Sequence, residues 1–190
     1  MASSVIDGID FGPLAVLVGL WEGDKGMDMA PEPDGETGTP YIDSLKFEIV
    51  GDVTNAEKQT LSVLRYYQVV RKKESGDVFH DETGYWMYDP DTGLIMQSLA
   101  IPRGMVLLAG GHAGDFDVSG EVSIDVKATD GETEFGILQQ GFMKDNARTT
   151  AFTHNITVKG DQMSYSETTS LEIYGRSYAH TDENTLSRIG

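Results

Sequence analysis

The sequence predicts an all-β protein: an antiparallel closed β-barrel of about ten strands with a short N-terminal helix. Three observations predict it. From residue 41 onward apolar residues recur almost throughout at period two, the pattern of strands with one wet face. The segments are separated by turn residues, in gaps mostly too short for a crossover helix, so neighbours pair antiparallel. A run of so many short strands also leaves two unpaired edges unless the sheet closes on itself, and an open sandwich is the alternative architecture.

The elements follow in order. "GPLAVLVG" reads as one helical turn before the first strand, which covers 20–29. The Pro/Gly/acid-rich stretch "APEPDGETGTP" (30–40) reads as a mobile loop, and 1–11 as a flexible N-terminus. Strands are then expected over 41–51, 59–73, 77–88, 93–101 and 104–111, punctuated by "ESGD", "DPDTG" and "PRG". "EVSIDVKAT" gives the clearest alternation, within a strand over 118–128, with Val122, Ile124 and Val126 on one face. Strands over 133–141, 147–159 and 162–174 follow, the last two joined by the tight turn "KGD". A final strand over 178–188 completes the set. The 190 residues suit one domain, 1–190, and a barrel of this size usually encloses a ligand cavity.

Fourteen Lys and Arg stand against 31 Asp and Glu, a formal net charge of −17. Such a surface repels phosphate backbones and anionic headgroups, so neither nucleic acid nor membrane is an expected partner. Cysteine is absent, which removes disulfides, thiolate metal sites and thiol nucleophiles. No apolar run is long enough to span a bilayer as a helix, and "MASSVIDGID" lacks the pattern of a secretory signal, so a cytoplasmic location is expected. There is no G-x-S-x-G elbow, H-E-x-x-H or Walker loop.

The remaining signals are short motifs. "GLWEGDKG" places Gly19, Trp21 and Gly23 in a G-x-W-x-G arrangement, where a tryptophan would plug the closed end of a barrel. "FHDETGYWMYDPDTG" and "LAIPRGMVLLAGG" follow in order, and "YGRSYAHTDENTLSRIG" closes the chain. Together these resemble the nitrobindin family of heme-binding, calycin- or lipocalin-like β-barrels, which includes the C-terminal barrel of THAP-type proteins. The likeness runs from about residue 12 to 189 and rests on the order of motifs: G-x-W-x-G-x-G, H-x-E-x-G-(Y/F), a P-x-G turn and a late His. It implies heme b in the cavity, with the late histidine, His180, as the only protein ligand to iron. His80 would line the opposite side. Nitric-oxide binding or peroxynitrite isomerisation at the iron would be the chemistry, and a small or gaseous molecule the partner.

Three positions depart from the family pattern. Lys25 stands where the third glycine belongs, and Tyr41 stands where a heme-contacting threonine is expected. In the family the ligand histidine lies about six residues before a closing arginine, whereas His180 lies eight before Arg188 and strict register points to Asp182. On a strand, Tyr178, His180 and Asp182 share one face, so Asp182 is a possible charge partner for a ring that must be neutral to bind iron. His80 has a second reading, a hydrogen bond to Glu82 that pins a strand end. His154 reads as a satisfied core residue and His112 as a loop residue. The alternative function is a fatty-acid-binding-like carrier of a small apolar ligand without heme, and a third is a barrel for protein interaction.

Overall fold

The computed structural model describes residues 3–189. A two-residue hairpin, β1 (Val5–Ile6) with β2 (Ile9–Asp10), leads into a 3-10 helix over Gly12–Leu17. The long strands β3 (Gly19–Glu32), β4 (Gly35–Asn55), β5 (Gln59–Lys72) and β6 (Val78–Tyr88) follow. Then come β7 (Leu94–Ile101), β8 (Met105–His112), β9 (Glu121–Thr129) and the short β10 (Ile137–Gln139). A six-residue helix, α1 (Gly141–Asn146), precedes β11 (Ala147–Lys159), β12 (Gln162–Ile173) and β13 (Arg176–Ile189).

Sheet order runs β8-β7-β6-β5-β4-β3-β13-β12-β11-β9, and β9 returns to β8 at the pair Gly110–Lys127. That pairing closes a ten-stranded antiparallel barrel, a calycin-like architecture, while β10 pairs with β8 outside the ring order. Closure removes the edges that consecutive hairpins would otherwise expose. The alternation expected of "EVSIDVKAT" is realised: Val122, Ile124, Val126 and Ala128 are buried while their neighbours face water.

The 3-10 helix plugs one end. Phe11, Leu14, Leu17 and Trp21 are fully buried, and the Trp21 indole donates from Nε1 to the Leu17 carbonyl at 2.7 Å. Arg188 lies over the Trp21 ring, 4.1 Å from its centroid, and donates to the carbonyls of Val16 and Val18 at the end of the same helix. Gly23 lets β13 approach, since a Cβ there would sit 2.6 Å from the Thr185 carbonyl oxygen.

Four expectations are corrected. Residues 30–40 are not a loop: β3 runs to Glu32 and β4 begins at Gly35, so the stretch is a hairpin about a two-residue turn. A strand left unpaired on one side tolerates proline, and β3 meets that condition near Pro31 because β13 pairs with it only at Leu20–Glu22. Of the expected flexible N-terminus, residues 1 and 2 lie outside the described residues; 3–11 form the β1–β2 hairpin and bury Phe11. The strand expected over 133–141 shrinks to three residues and gives way to α1. His112 ends β8 rather than lying in a loop.

Candidate functional site

The plug leaves the other end of the barrel hollow, with a cavity of about 330 Å³. Part of its wall is apolar: Phe79 from β6, Leu99 and Ile101 from β7, Met105 from β8, and Leu171 and Ile173 from β12. Asp28 (β3), Glu82 (β6), Glu167 (β12) and Asp182 (β13) also line it, and a fifth carboxylate, Asp43, is buried beside Tyr165 and Gln68. Facing these are the imidazoles of His80 and His180, with Arg103 at the exposed rim.

Period two on β13 does what the sequence suggested, turning Tyr178, His180 and Asp182 to one side, with His180 and Asp182 both lining the cavity. The His180 ring is held between two acids. Its Nε2 lies 2.6 Å from Asp28 Oδ1, and its Nδ1 lies 3.5 Å from Asp182 Oδ2. The hydrogen bond to Asp28 holds the His180 pKa above its ordinary value; burial opposes this, and the charges of Asp182 and Asp28 add to it. Asp182 is also shifted up, because burial and the nearby Asp28 and Glu82 charges outweigh the help from His180 and His80. At 3.5 Å the Asp182 contact is a charge neighbour and not a hydrogen bond, so both shifts point the same way without conflict.

His80 sits on β6 with Nε2 3.3 Å from Glu82 Oε2, as its second reading expected. Burial works against its charge, but the Glu82 hydrogen bond, the Glu82 charge and the more distant Asp182 and Asp43 raise its pKa above the ordinary value. Glu82 anchors a chain running back through the barrel. Tyr66 donates its hydroxyl to Glu82 at 2.5 Å, Gln97 Nε2 donates to Tyr66 at 3.1 Å, and His154 Nδ1 meets Gln97 Oε1 at 3.0 Å. Burial drives His154 down to about 3, so it is the neutral, satisfied core histidine expected of it.

Tyr41 lines the cavity too. It is buried, with its hydroxyl 3.1 Å from the Tyr165 hydroxyl and donating to the Glu183 carbonyl at 3.3 Å. Tyr165 in turn donates to Asp43 at 2.7 Å, and Gln68 Nε2 donates to both Asp43 oxygens. Burial outweighs these bonds and pushes Asp43 up to about 6. Glu167 is raised well above its usual range, chiefly by burial and then by the Glu82, Asp182 and Asp43 charges. Asp28, Asp43 and Glu167 were not foreseen. In so acidic a sequence a carboxylate carries no signal, and only the closed barrel shows which ones point inward.

A ten-stranded barrel with a tryptophan-plugged end and a partly apolar, histidine-bearing cavity is a calycin-like small-molecule binder by architecture. The chain belongs to the THAP4-like, heme-binding β-barrel domain family, which it matches over residues 10–188. The solved structure of Rv2717c from M. tuberculosis has a similar fold, with a TM-score of 0.67 and 21% identity, covering 93% of this chain and 95% of that one. No curated protein matches the chain.

Heme is the cofactor of that family, and it asks for an imidazole with a free, unprotonated nitrogen facing the iron. His180 faces the cavity, as the resemblance implied, but it does not meet this condition. Nε2 is engaged by Asp28, while Nδ1 has no hydrogen bond but lies 3.5 Å from the Asp182 carboxylate, and both acids favour the imidazolium, which has no lone pair to give. The hydrogen bond to Asp28 works against the neutral ring expected from the sequence. As placed, these residues fit a small ligand with an apolar body, and ligation of iron by His180 requires the Asp182 carboxylate to move aside from Nδ1.

Proposed function

We propose that the barrel binds a small amphipathic cation, with its hydrocarbon body against the apolar wall residues and its ammonium head on the carboxylates. One observation carries this reading: four carboxylates line the cavity against two imidazoles and the rim guanidinium of Arg103, beside apolar side chains and the polar groups of Tyr41, Gln68 and Tyr165. Burial of acids without matching positive charge stores unfavourable energy that an entering cation relieves, and the upward shifts of Asp43, Glu167 and Asp182 are consistent with that shortage. An anionic fatty acid, the ligand of the carrier alternative, would add to the repulsion.

The second reading is heme b with His180 as axial ligand, and with nitric-oxide binding or peroxynitrite isomerisation at the iron. Family membership over residues 10–188 favours it. It requires His180 to lose its proton and exchange one carboxylate for iron. The test uses three probes of equal chain length, hexylamine, hexanol and hexanoate, together with hemin, each titrated by calorimetry at pH 7. Binding of hexylamine well ahead of hexanol, with hexanoate silent, supports the cation reading. Equal binding of amine and alcohol overturns it, and a histidine-ligated Soret band with hemin replaces it by the second.

A further inference from the structure

The barrel wall is not uniformly laddered. β13 pairs with β12 from Arg176 to Ser187 but with β3 only at Ser187–Ile189, and β3 pairs with β4 along most of its length. Between Gly23–Glu32 on one bank and Arg176–Leu186 on the other, no main-chain pairing is present among the described residues. Side chains span the seam instead. Arg176 Nη2 donates to the carbonyls of Glu32 and Gly35, at 3.0 and 2.5 Å. The Tyr178 hydroxyl donates to the Met29 carbonyl at 2.6 Å, and His180 meets Asp28. Both banks line the cavity: Asp28, Ala30 and Pro31 on β3, His180 and Asp182 on β13.

A second interruption lies where β8 leaves β9, and it is built differently. There β10 fills the wall, and the buried Gln139 side chain bonds both the N–H and the carbonyl of Thr149, at 2.8 and 2.7 Å. That join imitates a ladder and is sealed from water. The clasps of the β3–β13 seam are few: Arg176 is exposed, Tyr178 and His180 are half-buried, and these three side chains can swing without unpairing a strand, while Asp28 is buried.

We infer that the β3–β13 seam is the lateral portal of the cavity, and that Arg176, Tyr178 and the His180–Asp28 pair are the latch that holds it shut. Ligand passes between the strands when these side chains release, and the β3–β4 hairpin is the leaf that moves. The choice of ligand probe rests on the cation reading above; the portal itself does not. Tyr178 and Arg176 do not line the cavity, so their removal alters passage and leaves the bound contacts in place.

The test is made on the full chain with Tyr178→Phe, Arg176→Ala and the pair combined. Hydrogen exchange of the ligand-free protein is followed over 23–32 and 176–186, with β6 and β7 as reference. Faster exchange confined to the two banks supports the portal; unchanged exchange overturns it. Stopped-flow binding of hexylamine should show association and dissociation both accelerated, roughly five- to tenfold per clasp removed, with an unchanged Kd. Unchanged rates would place entry at the open end and overturn the inference. If hexylamine fails to bind wild type, the cation reading falls and exchange alone judges the portal.

Discussion

An imidazole's proton decides whether it can ligate a metal before its position does. His180 occupies a cavity-facing site on the last strand, yet Asp28 and Asp182 hold it toward the cation. A histidine whose folded pKa lies above its unfolded value gives stability that is fully present below about pH 6.5 and is lost as pH rises through the folded value. The groups facing it set that window: Asp28 from β3 and Asp182 on β13 itself, with His80 and Glu82 from β6 acting in turn on Asp182. NMR titration of wild type should show His180 titrating above its ordinary value, and Asp28→Asn should bring it down. A His180 pKa unmoved by Asp28→Asn would remove the clasp from the account. Asp43 carries the same sign at lower pH. Its folded pKa near 6 against 3.8 means the native state holds the proton tighter, so stability falls as pH rises from about 4 to 6 and is flat above. That difference corresponds to roughly 3 kcal/mol, and urea unfolding of Asp43→Asn should show the slope between pH 4 and 6 reduced, the remainder coming from Asp182 and Glu167. The shared face of Tyr178, His180 and Asp182 was legible from strand periodicity. Asp28 was not, because it stands 152 residues away and meets His180 only when β3 and β13 close the barrel.

Elements repeat the lesson at larger size. Strands with one wet face announced themselves through period two, and β9 shows the clearest match between pattern and burial. The hairpin at 30–40 stayed hidden because Pro, Gly and acidic residues signal turns locally, whereas its ladder is imposed by continuation of β3 and β4 past the last β4–β5 pair, Tyr41–Lys72. α1 is six residues long, too short to show helical periodicity against its surroundings. The G-x-W-x-G motif was readable as a plug, but its second half, Arg188 over the indole and across two helix-end carbonyls, lies at the far end of the chain. Trp21→Ala should cost about 3–5 kcal/mol in urea unfolding, as emptying a fully buried aromatic site does. Arg188→Lys keeps the charge but loses the two-pronged bond and the flat stacking surface, and should cost about 1–2 kcal/mol. A loss under ~0.5 kcal/mol in Arg188→Lys would mean that charge alone holds the plug.

At the scale of the molecule, one register ties the ends of the chain together. Arg188 packs on Trp21, so the position six residues before the closing arginine is fixed in space, and it is Asp182, on the cavity wall. The resemblance drawn from the sequence motifs implies a ligand histidine at that position. His180 lies two residues farther from the plug and is occupied by the β3–β13 latch. Heme would also bring two propionates into a chain of net charge −17, against a cavity whose four carboxylates are met by two imidazoles and Arg103. Wild type titrated with hemin at pH 7 should therefore show no histidine-ligated Soret band, and Asp182→His should gain one. That substitution removes one of the two acids that hold His180 as a cation and supplies an imidazole where the resemblance implies the ligand. His180→Ala in the Asp182→His background should keep the band, since His180 is not the ligand in this account. A band in wild type that disappears in His180→Ala would instead make His180 the iron ligand and return the chain to heme chemistry. A band absent from wild type and Asp182→His alike would show that the cavity's carboxylates, and not one missing histidine, keep heme out.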